Sequence, residues 1–222
     1  MLMQPNIIYM KITVLSLSLL LIMACKKEES KIMQNNLSKD NLIVKNDSLQ
    51  TSTDSIKNIA DIKKEYGNVN NLLTSKKLDS TSFTYNCDER EGEVTLYYQD
   101  ENLKVIKDFY SEHSHFSSST KYFVKDDQVF FIFNDETVWN FDDGGTPERP
   151  ETKDDIKEKR IYILNNKAVQ CFEKNYSIRS KGNNQDPGSI ANKETKCDIS
   201  ELMKKYQLIL KNKDKKGDIN CL

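Results

Sequence analysis

A mainly β fold is predicted: one antiparallel meander forming a small barrel or sandwich, with a short N-terminal helix and a C-terminal helix. Three observations carry the prediction. Val94, Leu96 and Tyr98 alternate with Thr95, Tyr97 and Gln99, the period-two pattern of a half-buried strand. Strand-like runs are separated by short polar turns, at Asp100-Glu101-Asn102, Asp126-Asp127 and Asn165-Asn166. On either side the spacing changes to three and four, in Ile56, Ile59, Ile62 and Tyr66, and again in Leu202, Met203, Tyr206 and Ile209.

The first helix is expected between Asp54 and Ser75, capped by Asp54 or Ser55 and stopped by Gly67. The sheet then begins at Ser82. After the Val94 strand come Leu103 to Tyr110 and Thr120 to Lys125, followed by Val129 to Asn134. Val129-Phe130-Phe131-Ile132-Phe133 is apolar on both faces and therefore needs cover on both sides. Thr137 to Phe141, with the only tryptophan, makes a further strand. A long loop is expected from Asp142 through Gly144-Gly145-Thr146-Pro147 and Pro150 to about Asp155. Lys157 to Leu164 and Ala168 to Lys174 form a hairpin about Asn165-Asn166. Tyr176 to Arg179 precedes a Gly/Asn/Pro/Asp loop over 180–195, and Asp198 or Ser200 caps the last helix, which runs to about Lys211. Tyr97, Phe123 and Trp139 either line an open cavity or fill a closed core.

Ahead of this domain, placed at 54–222, Ser30 to Thr53 is rich in Asn, Ser, Lys, Asp and Gln and has too little apolar surface to offset its ordering entropy. With Cys25 to Glu29 it reads as a flexible tether over 25–53, reaching about 30 Å. Residues 1–9 carry no positive charge, and Met10-Lys11 makes the better start of a secretory leader ending at Ala24. Its apolar segment, Ile12 to Met23, is shorter than the roughly twenty residues a membrane-crossing helix needs.

Leu21-Ile22-Met23-Ala24-Cys25 resembles the lipobox of bacterial lipoproteins. That resemblance implies cleavage before Cys25 and a lipid attached to it, and two or more acyl chains anchor a protein stably. Lys26-Lys27-Glu28-Glu29 resembles the surface-export signal of Bacteroidota lipoproteins, which implies an outer-membrane, cell-surface address with the periplasmic face as the other option. Asp47-Ser48-Leu49, Asp54-Ser55-Ile56 and Asp79-Ser80-Thr81 resemble O-glycosylation acceptors of the same group.

Removing the first 24 of 222 residues leaves 198, enough for one domain, with 32 basic against 34 acidic side chains. That balance argues against nucleic-acid binding and against electrostatic docking on lipid. Cys87, Cys171, Cys197 and Cys221 remain, an even set in an exported chain, and are expected to form two disulfides. Three connectivities are open; Cys87 with Cys171 and Cys197 with Cys221 is favoured. No two cysteines have the spacing of a zinc site.

His113 and His115 flank Ser114 beside Glu112, so a metal pair is conceivable, although the polar surroundings favour two solvated rings. Asp142-Asp143-Gly144-Gly145 lacks the alternating oxygen ligands of a calcium loop and reads as a turn. No cofactor, metal or catalytic residue is expected.

Tyr85-Asn86-Cys87-Asp88 at the head of the meander resembles the opening of membrane-bound inhibitors of c-type lysozyme. That family's Ser-Gly-x-x-Tyr element falls on Ser118-Ser119-Thr120-Lys121-Tyr122. The resemblance implies a lysozyme-contact loop at Ser118, Lys121 and Tyr122. Ser119 stands where that family has glycine. The functional expectation is therefore a non-enzymatic lipoprotein binding a protein or glycan, held to the membrane through Cys25, with lysozyme inhibition as the alternative.

Overall fold

The computed structural model describes residues 55–215 and 219–222. Cys25, the leader and the expected tether lie outside those residues. Helix α1, Ile59–Thr74, starts at Asn58 rather than at Asp54 or Ser55. The Asn58 side chain accepts from the Asp61 N–H at 3.0 Å, and Asp61 Oδ2 accepts from the Asn58 N–H at 3.2 Å, a reciprocal capping box. The helix runs through Gly67 instead of ending there. A Cβ at Gly67 would meet nothing within 4 Å, so the residue is merely a weak helix former, at about 1 kcal/mol relative to alanine.

Among the described residues nine strands follow: β1 Asp79–Cys87, β2 Arg90–Gln99, β3 Asn102–Glu112, β4 Phe116–Lys125, β5 Gln128–Thr146, β6 Arg149–Leu164, β7 Lys167–Arg179, β8 Lys193–Thr195 and β9 Ile219–Asn220, with helix α2, Ser200–Asn212, before the last. The fold is mainly β with a helix at either end of the domain, as expected. The strands form one sheet in the order β8-β7-β6-β5-β4-β3-β2-β1-β9, antiparallel except for β1 with β9. The sheet does not close on itself.

Asp100-Glu101, Asp126-Asp127 and Asn165-Asn166 all have positive φ, the geometry of two-residue turns whose twist matches the strands they join. The long loop expected after Asp142 is instead the far end of a hairpin. Phe141 pairs with Thr152, Gly145 with Pro150 and Thr146 with Arg149. Gly145, at φ +78°, takes the left-handed geometry that lets β5 carry on past a register shift.

Alternation divides the side chains between two faces. Val105, Phe123 and Phe131 face α1, which buries Ile62 and Val69 against them. Tyr66 wedges its ring 4.9 Å from Phe123 and 4.8 Å from Phe131. Phe123 thus fills a closed core, with Tyr97 packed beside it. Trp139 lies away from it, against Phe141 and His115. On the other face Leu96, Ile106, Tyr122, Ile132, Ile161 and Cys171 stand in consecutive register across six strands, and α2 covers that row with Tyr206 and Ile209. Helices on both faces are what lets β5 be apolar on both sides.

All four cysteines are bridged, but with a different pairing from the favoured one: Cys87 with Cys221, and Cys171 with Cys197. The sheet order explains the correction. Six strand spacings of about 4.8 Å separate β1 from β7, far beyond the reach of a disulfide between Cys87 and Cys171. Tyr85 pairs instead with Ile219, which brings Cys221 to 4.4 Å from Cys87 between Cα atoms. Cys171 pairs with Thr195, two residues before Cys197. Each end of the α2 segment is thereby bolted to an opposite side of the sheet.

Candidate functional site

Beside α2, beyond the apolar row, the same sheet face turns polar. The next register row reads Val94, Asp108, Thr120, Asn134, Lys159 and Glu173. The row after it reads Gly92, Tyr110, Ser118, Glu136, Lys157 and Asn175. Along one edge of α2 these rows floor a groove of about 570 Å³. Two shallower recesses adjoin it, one sharing Glu136 and the other Arg90 and Tyr110. Both recesses include Phe116.

The floor is an internally bonded set. Asn134 donates from Nδ2 to Ser118 Oγ at 3.3 Å and to Thr120 Oγ1 at 3.1 Å, and all three residues are 5% exposed or less. With the amide hydrogens engaged there, the Asn134 carbonyl oxygen is the acceptor left for the groove.

Lys205, which lines the groove, is held in a buried ion pair. Lys205 of α2 places Nζ 2.6 Å from Asp108 Oδ2, and the Tyr85 hydroxyl donates to Asp108 Oδ1 at 2.9 Å. Tyr85 reaches Asp108 by lying over Gly92, where a Cβ would sit 2.1 Å from the ring, so only glycine fits. Lys205 also sits 4.6 Å from the Tyr110 ring centre, while Arg90 approaches that ring and pairs with Glu112 at 2.9 Å. Further along, the Tyr122 hydroxyl donates to the Leu202 carbonyl at 3.0 Å, fixing the first turns of α2 over the sheet.

Burial raises the phenols of this face. It is the main cause at Tyr85, with the Asp108 charge adding to it; it raises Tyr110 and Tyr122 as well, and brings Tyr206 to about 12. In the unfolded chain these groups ionise near pH 10. Below about that pH both states keep the proton and the stabilisation is fully present; above it the unfolded state loses protons first and stability falls. The denaturant midpoint is therefore expected to hold level to about pH 10 and then decline, the phenolate absorbance lagging until unfolding. A midpoint unchanged between about pH 10 and pH 11 would contradict the burial of these hydroxyls.

The residues singled out in the sequence are dispersed. Ser118, Lys121 and Tyr122 lie in the middle of β4, not in a loop. Tyr122 is fully buried and Ser118 is on the groove floor, while Lys121 points to the opposite face, 5.7 Å from the Phe133 ring. The expected contact loop is corrected accordingly: Ser119 sits in unbroken register with Phe109 and Asp135, so no glycine-dependent turn arises. His113 occupies the β3–β4 turn at φ +51° and meets Glu89 at 2.5 Å. His115 packs on Trp139. Among the described residues no three His, Cys, Asp or Glu side chains are grouped to hold a metal ion. Asp142 lies within β5 and not in the expected turn, and it pairs with Arg179 at the end of β7.

Comparison with protein-family models, with curated proteins and with solved structures finds no match. The groove must therefore be understood from its own chemistry. Asp108, Asn134, Glu136, Lys159 and Lys205 were not singled out from the sequence. A signal was present: Asp108 and Asn134 follow Ile106 and Ile132 at a spacing of two, putting a polar group where the alternation calls for another apolar one.

Proposed function

We propose that this chain is a membrane-anchored lipoprotein of the envelope or cell surface, and that its β domain is a non-enzymatic binding module. The single observation that supports binding is the polar-floored groove beside α2, built from buried groups held in fixed positions by their own hydrogen bonds. A rigid, preorganised concave surface lowers the ordering cost of association. The anchor is supported by the Leu21 to Cys25 sequence, and the near-neutral charge balance leaves the lipid as the membrane attachment.

Labelling with radioactive palmitate is expected to mark the full chain and not Cys25→Ser, which leaves the membrane fraction. The immobilised 26–222 fragment is expected to retain a component of envelope or host extract without converting it. Glu136→Lys, a charge reversal at the groove rim, should weaken that retention at least tenfold, about 1.4 kcal/mol. Label on Cys25→Ser would overturn the anchor, and retention indifferent to Glu136→Lys would overturn the groove as the binding site.

A further inference from the structure

We infer that the groove takes a short, uncharged oligosaccharide laid across the strands over Thr120, Asn134 and Lys159. This rests on the binding reading above and adds the ligand's chemical class.

Charge is the first argument. Five basic and four acidic side chains line the groove. Lys205 is neutralised by Asp108 at 2.6 Å, Arg90 by Glu112 at 2.9 Å, and Glu173 is paired with Lys157 at 3.2 Å. What remains is nearly balanced, so neither a polyanion nor a polycation finds a complementary field.

The second argument is the kind of hydrogen bond on offer. Thr120, Asn134, Lys159 and Glu173 stand on successive strands, about 4.8 Å apart, and present a hydroxyl, an amide carbonyl, an ammonium and a carboxylate in turn. A ligand meeting that row has to donate and accept at closely spaced points along its length. Sugar hydroxyls do both. A peptide carries fixed backbone donors and acceptors and is normally bound by backbone added at a strand edge. In this groove the backbone of β4, β5 and β6 is already engaged in the ladder on both sides, so only side chains face the ligand.

The third argument is shape and surface. A volume of about 570 Å³ lies within the range of small-ligand sites, roughly 300–1,000 Å³. Phe116, a partly buried aromatic, lines both adjoining recesses, and an aromatic ring suits the C–H side of a sugar.

The test is titration calorimetry of the 26–222 fragment against a panel of neutral tetrasaccharides: β-1,4-glucose, α-1,4-glucose, mannose and N-acetylglucosamine. A sulfated glycosaminoglycan fragment and an extended octapeptide serve as charged and peptide probes. At least one neutral probe is expected to bind saturably and to keep its affinity when salt rises from about 0.05 to about 0.5 M. Thr120→Val and Ser118→Ala each remove one floor hydroxyl and are expected to weaken binding by about fivefold to tenfold. Glu136→Ala, at the partly exposed rim, should do the same without any change in thermal midpoint, which separates a binding effect from misfolding. Phe141→Ala, far along the hairpin and 63% exposed, should leave binding unchanged. If no neutral probe binds, or if binding ignores Thr120→Val and Glu136→Ala alike, the oligosaccharide assignment is overturned. If the octapeptide or the sulfated fragment binds instead and loses affinity in those variants, the assignment also falls, while the groove stands as a binding site.

Discussion

Lys205→Ala is expected to lower the unfolding free energy by about 3–5 kcal/mol, because it strands a charge rather than merely deleting a contact. Asp108 is 1% exposed, and among the described residues its carboxylate meets the Lys205 ammonium and the Tyr85 hydroxyl. With the ammonium gone, the carboxylate is left desolvated beside a single phenol, and that cost falls on the folded state. The double variant Asp108→Asn/Lys205→Met removes both charges and is expected to recover most of the loss. Urea denaturation of the three proteins checks this. A single-variant loss below about 1 kcal/mol would show that groove water already solvates Asp108.

Opening the Cys87–Cys221 bridge is the second large effect. The cysteines are 134 residues apart, so the loop-entropy estimate for the bridge is about 5 kcal/mol, against about 3.5 kcal/mol for the 26-residue separation of Cys171–Cys197. Cys87→Ala/Cys221→Ala is therefore expected to be the less stable of the two double variants in a denaturant titration. It should also loosen the C-terminal end first, where β9 is held to β1 by its pairing with Tyr85 and Asn86 and by the burial of Ile219. The reverse order of stabilities would mean that native-state packing around Cys171, 3% exposed, outweighs the unfolded-state term.

These two predictions mark where sequence reading stopped. Local chemistry was legible in the three two-residue turns, which lie where acidic or Asn pairs interrupt the alternation. The start of the last helix was legible only in position: it begins at Ser200, but its N-cap is Ile199, without a side-chain cap, and not the expected Asp198 or Ser200. Residues whose role depends on a distant partner were not legible. The Asp/Gly/Pro stretch after Phe141 looks like a loop alone and becomes strand only because β6 returns along it. Gly67 looks like a stop, yet Ile62 and Val69 bury on either side of it and carry the helix through. The groove was the least legible part. Its floor joins β3, β4, β5 and β6, and the ion pair joins residues 97 positions apart, Asp108 and Lys205. Register fixes the first and the two bridges fix the second, and neither is a property of any single window of sequence.

The Cys87–Cys221 bond also decides how the domain bears load. Everything from Asp88 to Asn220 lies inside one covalent loop. A pull applied between the N-terminal side of the chain and Leu222 can straighten α1 and peel β1 as far as Cys87, and there it reaches a sulfur bond instead of the next strand. The sheet from β2 to β8 and α2 lie off the force path, whereas peeling β1 withdraws the Tyr85 hydroxyl from Asp108 beside the groove. The covalent loop would hold together under such a pull, and the first part of the groove to feel it would be the Tyr85–Asp108–Lys205 contact.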